Sequence, residues 1–164
     1  MSNALSAFTL FHVLLSLIGI FSGLIVVYGM MNSRRLNGWT SIFLWSTVLT
    51  SVTGYFFPFH KLLPSHILGA LSLITLAVAI YARYARDLAG GWRRAYVVAA
   101  VLALYFSVFV FIVQLFAKVP ALHELAPTQS EAPFKVAQLV ALLVFLALGY
   151  LSAKNFRVEE YSAA

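Results

Sequence analysis

The polar residues of this chain fall in narrow clusters, and long stretches without any charge run between them. Residues 1–33, 36–60, 62–82, 95–117 and 136–153 contain no Asp, Glu, Lys or Arg. A helix needs roughly 20 apolar residues to cross a hydrocarbon layer about 30 Å thick. All five stretches qualify, the last by a small margin. Inside them, apolar positions do not alternate with polar ones, which argues against a β-barrel. Lipid gives backbone N–H and C=O groups no partner, whereas a helix satisfies them internally. The pattern therefore predicts an all-α transmembrane bundle of five helices, at about 9–31, 39–57, 65–82, 95–117 and 134–152. Together they form a single integral-membrane domain over residues 1–164.

Composition strengthens that reading. The chain is 62% hydrophobic and 10% charged, with a mean hydropathy of +0.93. Soluble domains carry about 25% charged residues, so too few polar side chains are present to cover a water-facing surface. Cysteine is absent, which excludes disulfides, thiolate metal sites and cysteine nucleophiles. The net charge of +6 would point to nucleic acid only if its distribution were ignored. The basic residues sit at the ends of apolar runs, where topology signals sit, and no nucleic-acid partner is expected. Arg34, Arg35, Arg83, Arg86, Arg93, Arg94, Lys154 and Arg157 fall on one side of the predicted bundle, and Lys61, Lys118 and Lys135 on the other. The excess of Lys and Arg places the first set in the cytoplasm, hence the N-terminus outside and the C-terminus inside. The uncharged start, Met-Ser-Asn-Ala, lacks the basic region of a cleavable signal peptide, so the first helix is expected to be retained.

Local features refine the helices. His12, Ser16, Gly19 and Gly23 share one face of the first helix, and Gly19–Gly23 is a GxxxG spacing that lets another helix approach closely. The second helix is rich in hydroxyls: Ser41, Ser46, Thr47, Thr50, Ser51 and Thr53. They are expected to bond the carbonyl of the preceding turn or a neighbouring helix. Pro58 favours an exit from that helix, and His60, Lys61 and Pro64 continue the turn. The basic segment 83–94 reads as a topology signal in contact with anionic head groups. The outer loop 119–134, punctuated by Pro120, Pro127 and Pro133, is the longest connection.

Candidate chemistry gathers on the predicted outer side, where His12, His60, His66 and His123 all land, together with Gln114, Gln138, Tyr55, Glu124 and Glu131. Histidine is the commonest metal ligand and the usual proton switch near neutral pH. Three readings follow. The first is a structural, accessory or partner-binding membrane protein, whose partners are the lipid bilayer and another membrane protein or a second copy of itself. The second is a redox-cofactor protein holding haem b or a quinone, with His12 and His66 as the ligand pair, His60 as a weaker candidate and Gln114 and Gln138 nearby; haem needs axial ligands on facing helices. The third is a divalent-metal site built from His12, His60, His66, His123 and Glu124, whose spacings match no compact ligand motif. No catalytic residues are proposed: no fixed Ser/His/Asp order, glycine-rich phosphate loop or paired intramembrane carboxylates occur in the sequence.

Two segments are distinctive in wording, Thr53-Gly-Tyr-Phe-Phe-Pro-Phe-His60 and Pro127-Thr-Gln-Ser-Glu-Ala-Pro-Phe134. With them, the chain resembles a family of small, uncharacterised bacterial polytopic inner-membrane proteins. The resemblance covers most of the chain and implies location in the bacterial cytoplasmic membrane. It assigns no site residue.

Overall fold

The computed structural model describes residues 3–57 and 64–157. Among the described residues all regular structure is helical: α1 (Asn3–Met31), α2 (Asn37–Gly54), α3 (Pro64–Ile80), α4 (Trp92–Lys118), α5 (Pro120–Leu125) and α6 (Ala132–Asn155). A π-helical turn, Tyr81–Ala85, continues α3. Four segments are long and apolar enough to cross a membrane: Ser6–Met31, His66–Ala85, Trp92–Lys118 and Ala132–Asn155. The second helix of the sequence pattern is present as α2 but lies outside that set. Its 18 residues extend about 27 Å, just short of a hydrocarbon layer about 30 Å thick. Its Ser and Thr side chains also dilute its apolar character.

Element boundaries follow local chemistry. α2 stops at Gly54, and Tyr55–Phe57 leave the helix ahead of Pro58, which disfavours helical geometry in the residue before it. Pro120 and Pro133 stand in the first turns of α5 and α6, where a missing N–H costs nothing. The connection between α4 and α6 thus holds a short helix that the apolar pattern does not announce. Ser33, Leu36, Asp87 and Leu88 adopt positive φ and turn the chain sharply between α1 and α2 and between the π turn and α4.

The helices close a ring. α1 packs on α2, α2 on α3, α3 on α4, α4 on α6 and α6 on α1, with α4 also reaching α1. The GxxxG face does what its spacing predicts. A Cβ on Gly19 would lie 3.0 Å from Thr47 Oγ1, and one on Gly23 would lie 2.6 Å from Leu104 Cδ1 and 2.9 Å from the Phe43 ring. The glycines let α1 sit directly against α2, with α4 closing over Gly23. The α2 hydroxyls mostly bond within their own helix: Ser46 to the Ile42 carbonyl at 2.6 Å, Thr47 to Phe43 at 2.7 Å and Thr53 to Leu49 at 2.7 Å. Ser51 reaches across to Ser72 Oγ at 3.3 Å.

Burial is uneven along the bundle axis. The fully buried side chains Val26, Met30, Phe43, Leu44, Leu76, Val97 and Leu104 all lie in the half of each helix nearest the arginine-bearing loops. At that end the C-terminal segment is tied in as well. Phe156 is wholly buried against Tyr96, its carbonyl accepts a bond from Arg93, and Ser33 bonds the Arg157 backbone at 2.7 and 2.9 Å. Outward-facing positions carry Leu10, Phe21, Ile74, Leu143, Leu146 and many other exposed apolar side chains. So large an apolar surface fits lipid better than water.

Candidate functional site

Two polar layers mark the ends of the bundle. At the first, the last turn of α2 lies between the start of α1 and the start of α3. His12 Nδ1 is 2.9 Å from Thr53 Oγ1, and its ring meets Phe57 edge-on with centroids 5.0 Å apart. His66 is buried in the first turn of α3 with its ring 5.6 Å from that of Tyr55, and the Tyr55 hydroxyl donates to the His66 carbonyl at 2.6 Å. Gly69 admits this arrangement, since a Cβ there would lie 3.3 Å from the Tyr55 hydroxyl. The two histidines thus engage different residues of one α2 terminus, His12 through Thr53 and His66 through Tyr55.

The other predicted residues of this layer are spread over α4, α5 and α6. His123 Nδ1 approaches the Phe116 carbonyl at 3.3 Å. Glu124 and Gln114 are exposed. Gln138 donates to the Phe109 carbonyl at 3.2 Å, while its Oε1 is buried without a partner. Gln129 donates to the Val113 carbonyl at 2.9 Å and ties the α5–α6 loop to α4. Glu131 accepts from Thr128 Oγ1 at 2.7 Å and from the Ser130 N–H at 3.1 Å. The Thr128 hydroxyl bond, followed by backbone N–H bonds, holds its carboxyl below the ordinary value. His60 lies outside the described residues. Among the described residues, no three His, Cys, Asp or Glu side chains come together in a group that could hold a metal ion.

The second layer is at the arginine end. Arg83, in the π turn, is only 5% exposed. Its Nη2 donates to the Arg35 carbonyl at 3.1 Å and to Asn37 Oδ1 at 2.5 Å. Its guanidinium carbon lies 5.4 Å from the Tyr96 ring centroid and 5.9 Å from that of Tyr84. Arg35 pairs with Asp87 at 2.8 Å. Arg35, Asn37, Arg83, Tyr84 and Asp87 together line a cavity of about 350 Å³.

The basic segment 83–94 reads in the sequence as a topology signal in contact with anionic head groups, and the apolar pattern does not announce the cavity. A signal was available: Ser72, Leu76, Ala79 and Arg83 recur at spacings of four, three and four, and all four are buried. Arg83 therefore continues the inward-facing stripe of α3. Asp87 was a second signal, as the one acid within the basic stretch 83–94. Compared with protein-family models, with curated proteins and with solved structures, the chain finds no match.

Proposed function

We propose that the chain is a five-crossing protein of the bacterial cytoplasmic membrane, N-terminus outside and C-terminus in the cytoplasm, with a structural, accessory or partner-binding role. α2 is the fifth crossing in this reading. Its flanks support that: Trp39 and the arginines stand at one end, and Tyr55 and the histidines at the other. Interfacial aromatic residues prefer such positions.

One observation carries the functional part. Polar groups of the histidine layer bond to neighbouring segments of the protein itself, His12 to Thr53, Tyr55 to the His66 carbonyl, Gln129 to the Val113 carbonyl and Gln138 to the Phe109 carbonyl. Such bonds give polar side chains partners that lipid cannot supply and tie neighbouring segments together. A layer of this kind holds helices in register and presents an apolar exterior to lipid or to another membrane protein.

The alternative is a haem b, quinone or metal protein with ligands from the same layer. It draws support from His12 and His66 standing on either side of one α2 terminus and from the unpartnered Gln138 Oε1. Purification in mild detergent with an absorption spectrum and metal analysis separates the two. The structural reading predicts no Soret band and no stoichiometric metal. A Soret band that disappears in His66→Ala, with membrane insertion intact, would replace it with the haem reading.

A further inference from the structure

The arginine end offers more than a topology signal. Arg83 presents five N–H donors, and its side chain is nine-tenths buried. Nη2 is used twice, but Nη1 is screened from water without a hydrogen-bond partner, and so is Arg35 Nε. Two of the unsatisfied buried polar atoms therefore belong to the two cations that line one cavity. Stacking on Tyr84 and Tyr96 offsets part of the cost of burying the Arg83 charge, yet it leaves an N–H donor unfilled. Unfilled donors on buried Arg83 and on its part-exposed neighbour Arg35 are best met by an acceptor carrying negative charge.

The cavity fits such an acceptor in size and in charge. At about 350 Å³ it far exceeds one water, whose share of the liquid is about 30 Å³, and it falls among small-ligand pockets, about 300–1,000 Å³. Its walls hold two cations and one carboxylate, a surplus of one positive charge. Asp87 is the least fixed of them: its side chain is 85% exposed, and it meets Arg35 through one nitrogen, Nη2. An incoming anion can take its place and leave two positive charges facing the ligand. Tyr84, 55% exposed in residue terms like Trp45 at 58%, bonds Ser41 through its hydroxyl at 3.2 Å and stands on the open side. The backbone is shaped for this cavity too. Leu36 and Asp87, on the two loops that frame it, both have positive φ, and the π turn carries Arg83. π turns inside helices frequently accompany functional sites.

We propose that this cavity binds the phosphate group of an anionic ligand, held by Arg35 and Arg83 with Asn37 and Tyr84 beside it. The phosphate comes from a phospholipid head group or from a free phosphate species, and the chemistry of recognition is shared. Asp87 is the built-in competitor, occupying Arg35 when no ligand is bound.

The test uses the full chain in a non-ionic detergent at constant ionic strength. Dioleoylphosphatidylglycerol, dioleoylglycerol and sodium phosphate are titrated separately, and binding is read from the shift in thermal unfolding. A phosphate-bearing probe should stabilise the protein, and dioleoylglycerol should not. Phosphatidylglycerol acting alone identifies the head group as the source; inorganic phosphate acting as well identifies a free phosphate species. Arg35→Gln should weaken binding about ten-fold or more, as expected for a lost charge-assisted bond. Asp87→Asn should strengthen it, and reads the site even if Arg35→Gln folds poorly. Arg94→Gln removes the same charge from an exposed position outside the cavity lining and should leave affinity within about two-fold, since exposed charges act weakly at a distance. The proposal is overturned if neither phosphate probe binds, if Arg94→Gln weakens binding as much as Arg35→Gln, or if Asp87→Asn leaves affinity unchanged.

Discussion

The close approach of α1 to both α2 and α4 makes a quantitative prediction at Gly23. A methyl group there would sit 2.6 Å from Leu104 Cδ1 and 2.9 Å from two Phe43 ring carbons. Leu104 and Phe43 are both fully buried, and they belong to different helices, α4 and α2. Moving α1 away from one does not relieve the other without opening the core. Overpacking of this kind costs about 1–3 kcal/mol. Alanine is also a better helix former than glycine by about 1 kcal/mol, which opposes the steric term. Gly149 in α6 isolates the two effects, because a Cβ there meets only Val101 Cγ1 at 3.5 Å, an ordinary contact. Gly149→Ala should therefore be neutral or stabilising, and Gly23→Ala should be less stable than Gly149→Ala by about 1–3 kcal/mol. In a chain of this size that corresponds to a lowering of roughly 2–4 °C in unfolding midpoint per kcal/mol. Thermal unfolding of both variants in one detergent, followed by size-exclusion recovery, measures the gap. Equal shifts in the same direction would show that α1 is not seated on α2 and α4 through Gly23.

Three further outcomes are expected. Thr53→Val removes the partner of His12 and should cost about 0.6 kcal/mol, the average for helix–helix bonds in membranes, with the loss vanishing in a His12→Phe background; a cycle with zero coupling would refute the bond. Tyr55→Phe removes the donor to the His66 carbonyl and should cost about 1 kcal/mol, measured by the same unfolding assay; an unchanged midpoint would mean that α2 and α3 are not joined there. Glu131 has its carboxyl held below the ordinary 4.5 by Thr128 and nearby backbone N–H groups, so its contribution is present above 4.5 and is lost as pH falls through the lowered folded value. Amide exchange at Thr128 and Ser130 should accelerate in that acid range and lose this pH dependence in Glu131→Gln; identical profiles for the two proteins would remove Glu131 from the turn.

The apolar pattern made the helices legible because lipid imposes one rule on every backbone group it surrounds. Charge-free runs thus located α1, α2, α3, α4 and α6 to within several residues of their ends. The short α5 escaped because six residues around Pro120 carry no periodicity long enough to read. The GxxxG at Gly19 and Gly23 was legible as a close approach, but its partner was not, since spacing along one helix says nothing about which helix fills the groove. The histidine layer was legible as a level in the bundle. Its pairings were not, because Thr53 and Tyr55 face different neighbours only once α2 has ended at Gly54. The burial of Arg83 was not legible for a physical reason: an arginine near a helix end usually extends to water or head groups. Here the stripe from Ser72 through Leu76 and Ala79 turns it inward, and Asn37 and the Arg35 carbonyl receive it.

The account rests on an odd number of crossings, with α2 among them and the arginine end in the cytoplasm. The most direct measurement places a reporter at each terminus in turn in living cells: green fluorescent protein, which fluoresces only in the cytoplasm, and alkaline phosphatase, which is active only outside it. The account predicts phosphatase activity from the N-terminal fusion and fluorescence from the C-terminal fusion. Both termini reporting from one compartment would contradict it, leaving α2 outside the hydrocarbon layer and the histidine and arginine layers no longer on opposite faces of the membrane.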